Sequence, residues 1–473
     1  MLKGIQPQMI NVVLISTYEL GRQPFGLASP AAWLKEVGAA VTCQDLAVQL
    51  LEEEPIAAAD LVAFYIPMHT ATRIAATVLE RVKQLNARAH LCFYGLYAPV
   101  NESFLRKLGA DTILGGEFEE GLVALVKRLS QEQGGDQQGT QREPVVSLAR
   151  QQFLVPERGG LPDLRRYAHV NLGTGEQRIA GYTEASRGCK HLCRHCPIVP
   201  VYGGRFRIVQ PEVVLEDIKR QVEAGAQHIT FGDPDFFNGP AHALRIVKSL
   251  HQQFPGLTYD VTIKIEHLLK HAQYVPILRD TGCLFVTSAV EAVDNHILAI
   301  FDKLHTREDF IQVVSLFREV GLALNPTFVT FTPWTTLQGY LDLLALFYDL
   351  DLVENISPIQ YAIRLLIPAG SRLLELSATR ELVGAFDEEA LYYPWTHPDP
   401  RVDQLYADVL TAVKESLAQN ESRRAIFSKV WKLARTACLE AYEAIERDRL
   451  QLTASSPGSP RASIPHASEP WFC

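Results

Sequence analysis

The sequence predicts an α/β chain in which two parallel sheets follow one another, and two patterns carry that prediction. Short apolar runs of strand character alternate with segments of helical periodicity from residue 11 to about 115, and again from about 182 to 366. Between the two series, Gln131-Glu-Gln-Gly-Gly-Asp-Gln-Gln-Gly-Thr-Gln-Arg142 is polar and poor in apolar residues, which reads as a flexible linker. With 473 residues, 47% of them hydrophobic, the chain can bury two cores.

The first domain is expected over residues 1–130. Asn11-Val-Val-Leu-Ile-Ser16 is a strand, Pro30 to Gly38 a helix ended by glycine, and Ala40-Val-Thr-Cys43 a second strand. Leu61-Val-Ala-Phe-Tyr-Ile66, Ala89-His-Leu-Cys-Phe-Tyr94 and Asp111-Thr-Ile-Leu-Gly115 continue the series. Such a run makes a doubly wound, flavodoxin-like sheet, which takes ligands in the crevice at its strand ends. Residues 131–178 are read as linker and tether.

The second series occupies 179–379, with strands expected near 182–187, 228–232, 258–265, 283–289, 322–330 and 356–366. Pro211-Glu-Val-Val-Leu-Glu-Asp-Ile-Lys-Arg-Gln-Val222 opens with proline in the first turn and sets Val214, Ile218 and Val222 on one face, as a crossover helix requires. Six such β/α units make a partial barrel, and the working groups of parallel barrels lie at the carboxyl ends of strands. Residues 380–450 read as helical; Cys438 falls on an apolar face there and belongs to a core. Residues 451–473 begin as a Ser/Pro-rich disordered tail.

The formal charge of -9 argues against broad phosphate contact, so no nucleic-acid partner is expected. No window has the length of apolar sequence a membrane span needs, and the start lacks a secretory signal pattern. A cytoplasmic protein with reduced thiols is the expectation.

Three of the eight cysteines stand in Cys189-Lys-His-Leu-Cys193-Arg-His-Cys196-Pro197. Disulfides in so short a loop would be strained and would leave one thiol over. Zinc is the stronger rival, with His191 and His195 at hand, but a structural zinc site usually joins two separated ligand pairs and no second pair follows. Iron and sulfur fit better, because three thiolates leave the fourth iron of a cubane cluster open to a small molecule.

The C-x3-C-x2-C spacing resembles that of the radical SAM enzymes, with His195 where the family usually has an aromatic residue. The resemblance implies that Cys189, Cys193 and Cys196 hold a [4Fe-4S] cluster whose open iron chelates S-adenosylmethionine. It also implies contacts to that cosubstrate from Gly232 and Asp233, in place of a Gly-Gly-Glu element, and from Ser288 and Glu291, in Thr287-Ser-Ala-Val-Glu291. Asn325, Thr327, Thr330, Gln360 and Arg364 are further candidates for the same cavity.

The first domain resembles the cobalamin-binding domains fused ahead of many radical SAM cores, in Pro24-Phe-Gly-Leu-Ala28, in Asp60-Leu-Val-Ala-Phe-Tyr65 and in Gly109 to Leu122. That implies cobalamin as a third cofactor, with His69 near the expected corrin face. Tyr94-Gly-Leu-Tyr97 stands where relatives carry consecutive glycines, and larger side chains there would fill corrin space. The tail resembles that of the CUAEP/CCAEP radical SAM group, Glu469-Pro470 being kept and His466-Ala467 standing in place of the Cys/Sec pair.

The implied function is reductive cleavage of S-adenosylmethionine to a 5'-deoxyadenosyl radical, for cobalamin-dependent C-methylation or rearrangement of a small-molecule or peptide substrate. An external one-electron reductant such as flavodoxin or ferredoxin is the implied partner. The alternatives are an oxidoreductase or maturase whose first domain is empty, and a non-catalytic iron-sulfur electron carrier or binding protein.

Overall fold

The computed structural model describes residues 9–133, 142–173, 175–438 and 464–468. The first sheet contains β1 (Asn11–Ser16), β2 (Ala40–Asp45), β3 (Leu61–Tyr65), β4 (His90–Tyr94), β5 (Thr112–Gly116) and β6 (Val146–Ser147), in the order β2-β1-β3-β4-β5-β6 and parallel throughout. Alternation along β1 explains its two-sided burial. Val12 and Leu14 pack with Leu27 and Leu34 of helix Phe25–Glu36, whereas Val13 and Ile15 pack with Leu79 and Val82 of helix His69–Leu85. The sixth strand comes from the segment read as a tether, which is thus partly built into the first domain. Most of the expected linker, 134–141, lies outside the described residues.

The second sheet runs β14-β13-β12-β11-β8-β7-β15. Its members are β7 (His169–Asn171), β8 (Gln177–Thr183), β11 (His228–Phe231), β12 (Thr258–Thr262), β13 (Cys283–Glu291), β14 (Ala323–Phe328) and β15 (His466–Ala467). A separate ribbon of β9 (Ser186–Gly188) and β10 (Phe206–Ile208) frames the cysteine loop. From β8 to β14 the strands are parallel; β7 and β15 are antiparallel additions at one edge. The period-two alternation is plain: Ile229, Tyr259, Val261, Val286 and Leu324 join the outer core, while Thr230, Asp260, Thr262, Thr287 and Asn325 line the lumen.

The partial barrel has five parallel strands where six were expected. Residues 356–366 form a short 3-10 turn, Pro358–Ala362, followed by a lone parallel bridge between Phe331 and Arg364. Proline at 358 opens that turn, and Gln360 spends its side-chain oxygen on the Phe328 amide. The first barrel strand also starts earlier than expected, at Gln177, and ends at Thr183. Helices Pro400–Ala418 and Arg423–Ala437 pack Val409, Val413, Val430 and Ala434 on the barrel's core, and Cys438 joins them as expected. Among the described residues no helix is long and apolar enough to cross a membrane.

Candidate active site

The three cysteines follow β9 at the carboxyl end of the first barrel strand, and neighbouring loops fasten their loop from several sides. Asn238 accepts the Lys190 amide at 3.1 Å and lies 3.9 Å from Cys189 Sγ. The Arg194 amide donates to the Phe301 carbonyl at 2.9 Å, and its carbonyl accepts from Leu373 N and Ser371 Oγ. Gly188 enters the loop at φ +73, where a Cβ would meet the Arg205 carbonyl at 2.5 Å, so only glycine fits. None of the three thiols is in a disulfide.

Burial first, and then charge, pushes Cys189 up to about 11 and Cys196 up to about 12; neighbouring cysteines add to it in both. With those values the Cys189 and Cys196 thiols stay protonated at neutral pH, Lys303 only partly offsetting burial at Cys196. A bound cation reverses that balance and takes them as thiolates. The rival zinc reading keeps one nitrogen ligand: Cys189, His191 and Asp235 place their donor atoms within 4.8 Å of one another, although His191 also accepts from Lys264 Nζ at 3.0 Å. His195 is drawn away, its Nε2 lying 3.1 Å from Glu291 Oε1. The cysteine loop itself offers three sulfurs, which suits a cubane cluster.

Glu291 ends β13 in the left-handed region, φ +69, beside this loop. Burial alone would raise its pKa, but Lys303 and His195 pull it down to about 2. It is a fixed carboxylate at the mouth, and Lys303, its 3.3 Å partner, was not read from the sequence. Asp233 is also placed beside the loop, where it accepts from Ala185 N at 2.9 Å and Ser186 Oγ at 2.5 Å and so holds the approach to the cysteines. Burial pushes it up to about 7, against those two bonds. Gly232 faces inward, where a Cβ would sit 1.9 Å from the Tyr182 hydroxyl.

Other candidates divide by strand face. Asn325, Thr327 and Gln360 line the barrel's lumen. Ser288 does not: it is wholly buried between Val286 and Val290, which belong to the outer core, and Thr287 faces the lumen in its place. Thr330 donates to the Ile363 carbonyl, and Arg364 pairs with Asp403 at 2.7 Å over the Trp395 ring, so both serve the barrel rim. A buried cluster that the sequence did not signal stands beside Cys189: Asp235 takes His267 Nδ1 at 2.6 Å and is held down to about 2 by His191 and His267, against burial that would raise it.

At the strand ends of the first domain the crevice is filled with protein. Tyr65, Tyr94 and Phe118 pack ring on ring, and the Tyr94 hydroxyl donates to the Gly26 carbonyl at 2.8 Å. Arg187, two residues before the first cysteine, reaches across and bonds Glu119 at 2.7 and 2.9 Å and Glu184 at 2.6 Å, with Glu117 at 3.6 Å. A corrin in this crevice would take the space these groups occupy. His69 is turned to the other domain, its Nε2 donating to the Ala390 carbonyl at 2.6 Å.

The barrel lumen holds a partly open chamber of about 420 Å³. Its open side, between the two edges of the curved sheet, is bridged by residues 464–468. β15 pairs with β7, Ser468 N donates to the His169 carbonyl at 2.7 Å, and Asn325 Nδ2 on β14 donates to the Pro465 carbonyl at 3.3 Å. The expected disordered tail therefore contains an ordered strap; 451–463 and 469–473, with Glu469-Pro470 and Cys473, lie outside the described residues.

Residues 183–338 match the Radical SAM superfamily. Hopanoid C-3 methylase of Methylococcus capsulatus is 24% identical over 234 residues, covering 47% of this chain and 43% of the relative. A tRNA-2-methylthio-N(6)-dimethylallyladenosine synthase of Moorella thermoacetica is 26% identical over 220 residues, 43% of this chain and 47% of the relative. The chain thus spans less than half the length of these curated relatives. The fold is similar to that of the cobalamin-dependent S-adenosylmethionine radical enzyme OxsB, with TM-score 0.67 and 16% identity over 87% of this chain and 67% of that one. It is similar also to the radical S-adenosylmethionine methyltransferase TsrM of Kitasatospora setae, with TM-score 0.65 and 15% identity over 94% and 98%. The cysteine loop lies inside the segment that matches the radical SAM superfamily, and the two-domain fold is similar to that of these enzymes.

Proposed function

We propose that the chain is a radical SAM enzyme that takes a hydrogen atom from an unactivated carbon of a small-molecule substrate. One observation carries this reading: three thiols free of disulfide pairing share one pinned loop at the carboxyl end of a barrel whose lumen holds a chamber of about 420 Å³. Cys189, Cys193 and Cys196 would hold a [4Fe-4S] cluster. When bound, such a cluster passes one electron to the sulfonium of S-adenosylmethionine, which yields methionine and the 5'-deoxyadenosyl radical. The electron comes from an external donor of the flavodoxin or ferredoxin kind.

The chain's own residues position and shield. Asn238 and the Phe301 carbonyl fix the loop. Glu291, ionised and held by Lys303, offers an acceptor to the cosubstrate's polar groups at the mouth. Asp233 acts by holding the loop's approach, and Gly232 lets Tyr182 lie across the strand. The walls keep water from a carbon radical.

C-methylation with cobalamin is a finer reading, and the fold likeness to OxsB and TsrM favours it. The packed crevice of the first domain is the observation against it, and the crevice would have to open to admit a corrin. The test is anaerobic: the reconstituted protein is incubated with hydroxocobalamin, analysed for iron, sulfide and cobalt, then given S-adenosylmethionine and dithionite. Formation of 5'-deoxyadenosine is the expected result, and its absence would overturn the enzyme reading. About one cobalt per chain directs the search to methyl acceptors; iron without cobalt makes the first domain a scaffold.

A further inference from the structure

Strand residues on the inner face of the barrel determine what the chamber can hold. Thr230, Thr262, Thr287, Thr327 and Asn325 turn hydroxyl and amide groups toward it. Thr230 and the Asn325 amide nitrogen already have partners in the protein, while Asn325 Oδ1 is buried without one, so a molecule with polar groups of its own is favoured there. The volume, about 420 Å³, is that of a small-molecule site.

The charged residues of the lining sharpen this. Asp260 accepts from His228 Nε2 at 2.8 Å and from Thr230 Oγ1 at 2.6 Å. Glu421 is bonded by Lys429 at 2.7 Å, and Arg423 donates to the Glu354 carbonyl. Neither Arg22 nor Arg423 has a carboxylate within ion-pair distance among the described residues, but Arg423 spends an N–H on the Glu354 carbonyl, whereas the Arg22 guanidinium carbon lies 4.9 Å above the Tyr182 ring with no such bond. Glu19, the acid of its own loop, has its pKa raised well above the ordinary carboxylate range by burial and then by Glu184, with Arg22 partly offsetting them, and it makes no ion pair with Arg22. A guanidinium stacked on a ring keeps its N–H edge free, and that edge matches the paired oxygens of a carboxylate or phosphate.

We infer that the chamber is the substrate site, and that the substrate is a small polar molecule bearing one anionic group, carboxylate or phosphate, which Arg22 engages. This rests on the radical SAM reading above. Arg22 comes from the first domain, in the loop after β1, so the anchor for the substrate is supplied by one domain and the cysteines by the other.

The test follows the abstracted hydrogen. Cells of the source organism are grown in heavy water, and their extract is separated into solvent-extracted lipid, RNA, and dialysable metabolites. The dialysable part is split on an anion-exchange resin. Each fraction is given to the holoenzyme with S-adenosylmethionine and dithionite, and deuterium in 5'-deoxyadenosine is read by mass spectrometry. Deuterium is expected from the resin-retained metabolites. Phosphatase treatment of that fraction abolishes the transfer if the anion is a phosphate and leaves it if it is a carboxylate.

Arg22→Gln is expected to lower deuterium per 5'-deoxyadenosine formed by about tenfold or more, the loss of a charge-assisted pair, and Arg22→Lys to recover part of it. Deuterium from lipid, RNA or the unretained metabolites alone, from no fraction while 5'-deoxyadenosine still forms, or undiminished in Arg22→Gln would each overturn the inference. If the wild type forms no 5'-deoxyadenosine at all, the reading beneath it has failed instead.

Discussion

The chain carries two parallel sheets whose carboxyl ends have opposite contents. At the ends of the first, Tyr65, Tyr94, Phe118 and the Arg187 network are buried against one another. At the ends of the second stand a cysteine loop and an ionised Glu291, with a chamber in the lumen of its barrel. Both folds would place a ligand at that edge. Topology sets where a site can be, and the side chains at the strand ends decide whether it is kept.

The largest effect should come from the open site. Cys193→Ala removes the most buried of the three sulfurs, and we expect bound iron to fall and formation of 5'-deoxyadenosine to drop to background. Iron and 5'-deoxyadenosine assays check this together; retained cleavage would end the cluster assignment.

The filled site should answer to pH. Arg187 faces Glu117, Glu119 and Glu184, and one guanidinium cannot balance three carboxylates. Burial, with Glu119 adding and Arg187 opposing, pushes Glu117 up to about 7 from an ordinary 4.5. Its folded pKa is the higher one, so its contribution is full below about 4.5 and is lost as pH rises toward 7. Glu117→Gln should flatten the fall in Tm across that window, by an amount worth at most about 3 kcal/mol. Thermal melts of both proteins at several pH values check it; parallel profiles would show that Glu117 is ionised throughout.

A smaller effect is expected from the strap. Ending the chain at residue 463 removes β15 and the partners of His169 and Asn325. Global stability should change by only about 2 kcal/mol, the scale of a few partly exposed hydrogen bonds. Amide exchange should quicken over 169–171 while β11 and β12 stay protected, and unchanged exchange there would mean that the strap does not close the barrel.

Much of this was legible in the sequence. The strands of the first domain, the cysteine loop and the helix opening at Pro211 appear where their patterns put them, since period and spacing are local properties. Tyr94 and Tyr97 signalled a filled crevice because they are larger than the glycines expected there. What was not legible depended on contacts distant in sequence. Ser288 and Thr287 differ by one position and hence by strand face, and the β-bulge that shifts the register near Ala289 leaves no mark in composition. Arg22 and the strap at 464–468 reach the chamber only through tertiary packing, and Pro358 was the one local warning against a sixth strand.

The most direct test of the central claim is the electron paramagnetic resonance spectrum of the anaerobically reduced protein with and without S-adenosylmethionine, taken alongside its iron content. About four irons per chain and a spectrum that changes on adding the cosubstrate are predicted, because three cysteines leave one iron open to it. Zinc in place of iron, or a cluster spectrum indifferent to S-adenosylmethionine, would contradict the account.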